Sequence, residues 1–154
     1  MNPSGSFTIE RATASEADEI AALYIASRND ALPYLPALHS DAEIRQWISD
    51  VMLRRGGTWI GRLDGRIVGF FALVDDDLEQ LYVHPEFYRR GIGSRLLDKA
   101  KTLSLRRLRL FTFQRNGRAR AFYEAKSFTM IDSSDGSRNE EREPDCFYEW
   151  AKDV

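Results

Sequence analysis

The sequence contains little cysteine and little histidine. Cys146 is the only cysteine in the 154 residues, which excludes an internal disulfide and is typical of a protein kept in a reducing cytoplasm. The two histidines, His39 and His84, are too far apart in the sequence to form a metal-ligand motif. We therefore expect no metal site and a cytoplasmic location.

The chain also lacks a large net charge and a long apolar run. Its 22 basic and 24 acidic residues give a formal charge of -2, so no overall field attracts nucleic acid or an anionic membrane. No stretch is long and apolar enough to span a bilayer, and residues 1–10 lack the pattern of a secretory signal. We expect neither a membrane nor a nucleic-acid partner, and any basic site must be local.

The composition is that of an ordinary globular protein, with 43% hydrophobic and 30% charged residues. A length of 154 residues is enough for one domain with a core of its own, but short for two. We therefore interpret residues 1–154 as a single domain.

The first part of the sequence predicts one strand followed by two helices. The segment FTIERAT (residues 7–13) predicts a short strand, and a capping-box pattern at Ser15 opens a helix over residues 16–29. A second capping pattern, at Ser40, begins the next helix. Its apolar stripe follows the i, i+3, i+4 rule and comprises Ile44, Trp47, Ile48, Val51 and Met52.

The middle of the sequence predicts three strands, then a helix and a fourth strand. Residues 57–85 contain three β-rich segments separated by turn signals at 64–65 and 75–77, which indicates an antiparallel meander. After Pro85 a helical stripe begins, and LRLFTF (residues 108–113) follows as a strand, which suggests a parallel crossover. The stripe comprises Ile92, Leu96, Leu97, Ala100 and Leu103.

The last part predicts a short helix and two strands. An Asn-Gly pair at 116–117 precedes the helix, and SFTMID (127–132) and DCFYEW (145–150) are the expected strands, joined by a polar loop. The resulting order, β-α-α-β-β-β-α-β-α-β-β, predicts an α/β fold with a mixed sheet.

The segment YRRGIGS (residues 88–94) lies between a predicted strand and a predicted helix. Free backbone N–H groups and the dipole at a helix start favour an anion, and Gly91 and Gly93 allow the backbone to approach a phosphate closely. The spacing matches neither a Walker loop nor the G-x-G-x-x-G motif, which disfavours nucleotide hydrolysis and NAD binding. The alternative is a tight turn in which Arg89 and Arg90 are merely solvated.

Two segments resemble, in this order, the signatures of the GNAT superfamily of acetyl-CoA-dependent N-acyltransferases. LEQLYVHPEFYRRGIGSRLL (78–97) is similar to that family's strand, pyrophosphate loop and helix, with Gly91 and Gly93 at the glycine positions. NGRARAFYEAKSF (116–128) is similar to a later family segment. The matching residues there are Asn116, Ala119, Phe122, Tyr123 and Glu124.

Two positions depart from the family's pattern. Tyr88 stands where the loop begins with Gln or Arg, and Ser127 stands where a Gly precedes the final Phe. Because a phosphate loop binds mainly through backbone amides, Tyr88 leaves the mechanism intact. Ser127 bears only on the geometry of a local turn.

The resemblance implies a fold and a donor. In the implied GNAT fold, the strand before the loop bulges and splays from the next parallel strand. The implied donor is acetyl-CoA, with its pyrophosphate on the amides of residues 89–94, Arg89 or Arg90 adding charge, and Asn116 capping its helix while touching the donor. The donor-binding residues implied in this way are Leu81, Tyr82, Val83, Arg89, Arg90, Gly91, Ile92, Gly93, Ser94, Asn116 and Tyr123.

The resemblance also implies direct acetyl transfer to a primary amine. An ammonium cannot attack a carbonyl, so the acceptor must lose a proton, and the departing thiolate is better released when it gains one. Tyr123 lies at the family's general-acid position, and a phenol with a pKa of about 10 can donate at neutral pH. Glu79 is the candidate base, acting directly or through water. The alternatives are a core aromatic at 123 and an exposed strand carboxylate at 79.

The implied acceptor pocket lies between the connection of the first two helices and the loop between the last two strands. This correspondence suggests Tyr34, Leu35, His39 and Trp47 as acceptor-binding residues, with ordinary packing as the alternative. Carboxylates of the loop at 132–145 suggest attraction of a cationic acceptor, such as a polyamine, an aminoglycoside-like amine or a peptide N-terminus, with a solvated loop as the alternative. The acceptor itself stays open between a small amine, a peptide N-terminus and a lysine side chain.

Two rival functions remain open from the sequence. The same fold could hold an acyl-CoA as a sensor or scaffold without catalysis, although the retention of Tyr123 and Glu79 favours an enzyme. The basic stretch RRLRLFTFQRNGRAR (106–120) could bind nucleic acid, but the net charge and the strand periodicity disfavour it. The resemblance further implies that edge strands can pair to form a homodimer.

Overall fold

A computed structural model describes residues 6–152, which form one seven-stranded mixed sheet with helices on its faces. The order of strands and helices is the predicted one, so the predicted α/β fold is confirmed. The strands are β1 (Phe7–Arg11), β2 (Thr58–Leu63), β3 (Arg66–Val74), β4 (Asp77–Val83), β5 (Arg107–Phe113), β6 (Thr129–Ser134) and β7 (Asp145–Ala151). The helices are α1 (Ala17–Ala31), α2 (Asp41–Trp47), α3 (Ile92–Leu103) and α4 (Gly117–Ala125), and α2 continues as a π-helical turn (Ile48–Met52) and a 3₁₀ turn (Leu53–Arg55).

The sheet has the order β1-β2-β3-β4-β5-β7-β6, and every neighbouring pair except β4 and β5 runs antiparallel. Among the described residues, β4 and β5 pair in parallel only through Asp77 and Arg109. The backbone N–H of Arg109 donates to the Asp76 carbonyl at 2.8 Å beside this pair. Beyond it the strands diverge, which confirms the predicted splayed parallel pair.

A bulge in β4 lies next to this divergence. The register between β3 and β4 changes from Ala72 opposite Gln80 to Leu73 opposite Leu78, which leaves Glu79 as the extra residue on β4. A bulge twists the strand and redirects side chains at that point. The sequence therefore places a carboxylate at the position where β4 turns away from β5.

The helix starts confirm one predicted capping box and correct the other. The backbone N–H of Ser40 donates to Glu43 Oε1 at 2.8 Å, and that of Glu43 donates to Ser40 Oγ at 3.1 Å. The box predicted at Ser15 is wrong, because the chain makes a 3₁₀ turn before α1 and the cap lies earlier, at Thr13. There the Thr13 N–H donates to Glu16 Oε1 at 2.6 Å.

The end of α4 shows why a glycine suits the position that Ser127 occupies in this chain. Ser127, two residues after the helix, has φ +72, and the Phe128 N–H donates back to the Tyr123 carbonyl at 3.0 Å. This left-handed position after a helix is the one that glycine occupies at least cost. Strand β6 consequently begins at Thr129 rather than at the predicted residue 127.

The core lies on both faces of the sheet. Helix α3 buries Leu96 and Leu97 fully on one face, and on the other α1 and the turn after α2 bury Ile20 and Ile48. Each fully buried side chain of this size contributes about 1.5–3 kcal/mol to stability. Leu103, predicted in the α3 stripe, is 38% exposed because it is the last residue of that helix.

Among the described residues, no helix has both the length and the apolar character needed to cross a bilayer.

Candidate active site

A cavity of about 750 Å³ lies where β4 and β5 diverge. Strand β4 from Leu78 onwards and β5 from Leu110 onwards form two of its walls, and α1, α4 and the loop before α3 form the others. All the predicted donor-binding and catalytic residues line it except Arg90. They are Glu79, Leu81, Tyr82, Val83, Arg89, Gly91, Ile92, Gly93, Ser94, Asn116 and Tyr123.

The loop before α3 presents unpaired backbone amides. The first N–H donor of α3 is that of Arg95, which donates to the Gly91 carbonyl at 3.1 Å. Within residues 6–152, no backbone N–H of residues 89–94 donates to a backbone carbonyl outside the helix. Arg89 and Gly91 both adopt positive φ, of 63° and 78°, which turns the backbone sharply into the helix. Amides gathered in this way at a helix N-terminus can hold an anion.

The two loop arginines lie in different surroundings. Arg89 lines the cavity, whereas the guanidinium carbon of Arg90 lies 5.1 Å from the ring centroid of Phe87, where it makes a cation–π contact. Of the two, the geometry brings Arg89 to the cavity wall.

Asn116 caps the helix on the opposite wall. Its Oδ1 accepts a hydrogen bond from the Ala119 N–H at 3.1 Å, and the residue also lines the cavity. The predicted cap is confirmed, and its contact with a donor stays a prediction.

Tyr123, on α4, is buried and contributes to the cavity wall. Its ring packs edge-on against Phe122 and Phe128, with centroid separations of 5.2 Å and 5.5 Å. Burial raises the pKa of the Tyr123 phenol above its ordinary value, so the hydroxyl keeps its proton at neutral pH. The part of the chain that the structure describes supplies no hydrogen-bond partner to this hydroxyl, which leaves it free to donate into the cavity.

Glu79 occupies the bulge of β4 and also lines the cavity. Its Oε1 lies 2.9 Å from Nη1 of Arg55, and its side chain is 38% exposed. The guanidinium carbon of Arg55 in turn lies 6.0 Å from the ring centroid of Trp47. Trp47 does not line the cavity itself; it contacts Arg55, which pairs with Glu79 of the cavity wall.

The predicted acceptor-binding residues do not line the cavity. Tyr34 and Leu35 pack with Leu32 and Phe113 in a small cluster behind its wall, and His39 is exposed and contacts Glu140. Their role in acceptor binding, like that of Trp47, stays a prediction.

Sequence reasoning missed four polar residues that line the cavity on the side formed by α1 and the β6–β7 loop. Tyr24, Ser27 and Arg28 lie on α1, and Glu141 lies on the loop between β6 and β7. The three α1 residues and Ala31 follow the i, i+3, i+4, i+7 spacing of one helix face, so the sequence does show that they lie together. It does not show that this face meets the gap between β4 and β5, because that depends on packing.

Two phenols form part of this wall. The rings of Tyr24 and Tyr82 meet edge-on with centroids 5.0 Å apart. Burial raises the pKa of both phenols, so both stay neutral at physiological pH. This part of the wall is neutral and amphipathic.

The carboxylates of the β6–β7 loop are engaged within the protein. Glu140 contacts His39, Glu141 lies 3.5 Å from Arg28, and Glu143 accepts two hydrogen bonds of 2.8 Å from Arg115. The Arg115 guanidinium lowers the pKa of the Glu143 carboxyl mainly through these bonds. Together these contacts hold the loop against α1, the α1–α2 connection and the connection between β5 and α4.

Three of the six arginines in the basic stretch at 106–120 form ion pairs with carboxylates. Arg107 pairs with Asp76 at 3.1 Å, Arg109 with Glu149 at 2.8 Å, and Arg115 with Glu143 at 2.8 Å. Partner carboxylates thus neutralise half of the charge that this stretch could offer to nucleic acid.

Comparison with known proteins agrees with this geometry. The sequence model of the acetyltransferase (GNAT) family matches residues 20–128. An uncharacterized N-acetyltransferase of Archaeoglobus fulgidus is 28% identical over 148 residues, covering 86% of this chain and 99% of that protein. The peptidyl-lysine N-acetyltransferase YiaC of Escherichia coli is 28% identical over 125 residues, covering 80% of this chain and 84% of that protein.

A solved structure supports the fold. The PaiA N-acetyltransferase of Thermoplasma acidophilum, determined in complex with coenzyme A, matches with a TM-score of 0.74 and 18% identity, covering 96% of this chain and 99% of that one. The family match takes in the splayed strands, the amide loop and Tyr123. The chain therefore belongs to the GNAT family of acetyltransferases, which take their acyl group from acetyl-CoA.

Proposed function

We propose that this acetyltransferase moves the acetyl group from acetyl-CoA directly to a primary amine. The neutral amine nitrogen attacks the thioester carbonyl, a tetrahedral intermediate forms, and the C–S bond breaks as the CoA sulfur takes a proton. The observation that carries the proposal is the unpartnered Tyr123 hydroxyl in a cavity between two splayed strands.

Tyr123 is the proposed general acid. Its raised pKa keeps the phenol protonated, and its free hydroxyl points to a role in protonating the departing thiolate. A tyrosine that served only as core packing would equally well be phenylalanine.

Glu79 is the proposed general base. It accepts a proton from the acceptor ammonium, directly or through one water, before the nitrogen attacks. Its ion pair with Arg55 at 2.9 Å orients the carboxylate, and its partial exposure lets the proton pass on to solvent.

The donor is proposed to bind along the loop and β4. The amides of residues 89–94 and the side chain of Arg89 hold the pyrophosphate, as expected at a helix N-terminus. The edge of β4 at Leu81, Tyr82 and Val83, which has no β5 partner among the described residues, borders the pantetheine arm. Ile92, Gly93 and Ser94 complete this end of the site, and Asn116 faces them.

The proposed acceptor is a small amine, a peptide N-terminus or a lysine side chain. Glu79 and Glu141 are the carboxylates of the cavity wall; each is already paired with an arginine, and each can still accept a hydrogen bond from an ammonium. The Escherichia coli relative named as a peptidyl-lysine acetyltransferase supports including lysine side chains. Tyr34, Leu35, His39 and Trp47 would then border the approach to the cavity rather than its interior.

The test is acetyl-CoA turnover against a broad panel of amines, followed by thiol release. We expect Tyr123→Phe and Glu79→Gln each to lower kcat about 100-fold, the lower end of the range for a lost acid or base. The matched control is Glu10→Gln, because Glu10 also pairs with an arginine at 2.9 Å but lies on β1, away from the cavity. It should leave turnover unchanged.

Two results would count against the proposal. Wild-type turnover in both variants would remove the assigned acid and base. Tight CoA binding without thiol release for any amine would favour a non-catalytic sensor of acyl-CoA.

Three expectations about the whole protein remain predictions. They are a cytoplasmic location, a single acyltransferase domain over residues 1–154, and a homodimer formed through edge strands. Light scattering of the purified protein measures the last of these directly.

A further inference from the structure

Arg118, the second residue of α4, lies against Tyr88 at the mouth of the cavity. Its guanidinium carbon is 4.5 Å from the Tyr88 ring centroid, and both residues line the cavity. The Tyr88 hydroxyl lies 3.4 Å from Ser27 Oγ on α1, so contacts with two helices fix the ring. A guanidinium stacked on a ring keeps its N–H edges free for other partners.

The charge of Arg118 is not neutralised by the described part of the protein. No carboxylate in residues 6–152 lies within ion-pair distance of it, in contrast to Arg107, Arg109 and Arg115 on the same stretch of chain. It instead shares the cavity wall with Arg89 and with the unpaired amides of residues 89–94. This end of the cavity is therefore positive and rich in donors, which suits a phosphate.

We propose that Arg118 binds a phosphate of CoA and that Tyr88 positions its guanidinium by stacking. The proposal rests on the proposed use of this cavity for the donor. The proposal also accounts for Tyr88, which stands where the resemblance leads one to expect Gln or Arg. Here Arg118 of α4 supplies the polar side chain, and Tyr88 of the loop supplies the ring on which it stacks. Stacking limits the rotamers of Arg118 before the donor arrives, which reduces the entropy lost on binding.

Calorimetric titration with CoA tests the phosphate contact without knowledge of the acceptor. We expect Arg118→Ala to weaken CoA binding about tenfold, as for the loss of one charge-assisted hydrogen bond. The matched control is Arg106→Ala, an exposed arginine between α3 and β5 that does not line the cavity. Equal affinity in Arg118→Ala and wild type would overturn the proposal.

Titration with 3′-dephospho-CoA identifies the phosphate. A tenfold loss with both ligands assigns Arg118 to the pyrophosphate, and a loss with CoA alone assigns it to the 3′-phosphate; both support the proposal. Since these are binding measurements, they do not depend on the proposed acid and base roles of Tyr123 and Glu79. Absence of CoA binding by the wild type would instead count against the proposed function.

A double-mutant cycle tests the role of Tyr88. We expect Tyr88→Leu to weaken CoA binding several-fold in the wild type and to have little further effect in Arg118→Ala, because the stacked pair acts as a unit. Additive losses would overturn the positioning role. Thermal unfolding of each variant guards against a general loss of structure, and Arg118→Lys, which keeps the charge without the planar fork, should recover only part of the affinity.

Discussion

Tyr123 should give the protein a pH signature through its burial. The folded-state pKa of this phenol is raised above the value of about 10 expected in the unfolded chain. Above that pH the unfolded chain loses the proton while the folded protein keeps it. The stabilising contribution is therefore complete below about pH 10 and is lost as the pH rises further, through the folded-state pKa.

We expect the free energy of unfolding to fall between about pH 9.5 and 11 in the wild type, and to fall less steeply in Tyr123→Phe. Urea denaturation at closely spaced pH values measures both slopes. The free energies of unfolding at pH 7, where the phenol is protonated in both the folded and the unfolded chain, provide the reference. Parallel slopes in the two proteins would contradict a raised pKa at this position.

At this scale, residues that belong to a local motif were predictable and residues brought in by packing were not. Tyr123 and Asn116 lie in one segment whose spacing resembles a family signature. Tyr24 and Arg28 are recognisable only once α1 is seen to lie over the gap between β4 and β5. Arg118 had no signal of its own, since its orientation depends on Tyr88, 30 positions earlier.

At the scale of elements, two turn positions should respond to substitution in opposite directions. Ser127 adopts φ +72 after α4, and Gly91 adopts φ +78 before α3. A left-handed conformation costs a non-glycine residue about 1–2 kcal/mol. Ser127→Gly removes this cost and so stabilises the folded state. Part of the gain in stability is lost, because glycine also makes the unfolded chain more flexible.

We therefore expect Ser127→Gly to raise the free energy of unfolding by about 0.5–1 kcal/mol and Gly91→Ala to lower it by about 1–2 kcal/mol. No atom lies within 4 Å of the place that the new Cβ of Gly91→Ala would take, so the loss arises from the backbone and not from a clash. Urea denaturation measures both changes. A destabilising Ser127→Gly would show that the serine side chain contributes more than its backbone strain costs.

The existence and order of the elements followed from periodicity and turn residues, whereas their ends did not. The Ser40 capping box was correct because α2 begins directly after Ser40, whose side chain accepts from the Glu43 N–H. The box at Ser15 was wrong because a 3₁₀ turn precedes α1, and an i, i+3 pattern cannot distinguish which of two nearby polar residues begins the turn.

At the scale of the whole molecule, a buried network and a surface ion pair both hold the β6–β7 loop. Asp145 is 2% exposed, and its carboxylate accepts hydrogen bonds from Ser134 and, at 3.0 Å, from the Asn139 amide. The second contact is the two-bond pair of Glu143, whose side chain is 14% exposed, with Arg115, which lies at the surface and is 56% exposed. A buried group that loses its partner costs about 1–3 kcal/mol, whereas a surface pair contributes about 0–1 kcal/mol.

We expect Asn139→Ala to lower the free energy of unfolding by about 1–3 kcal/mol and Glu143→Gln to lower it by less than about 1 kcal/mol. Urea denaturation at low and high salt compares the two, and only the Glu143→Gln difference should shrink with salt. If Glu143→Gln were the more damaging change, the surface pair and not the buried network would hold the loop.

Because β4 and β5 pair at one position only within residues 6–152, we expect the sheet to open easily for a long, thin ligand between them. Four strands on one side and three on the other meet through Asp77 and Arg109 alone among the described residues. Past that pair the two halves of the sheet share no backbone hydrogen bond among the described residues, so widening the gap there breaks none. We therefore expect the two halves of the sheet to separate more easily on the side of the cavity lined by Tyr123 than beside Asp77 and Arg109.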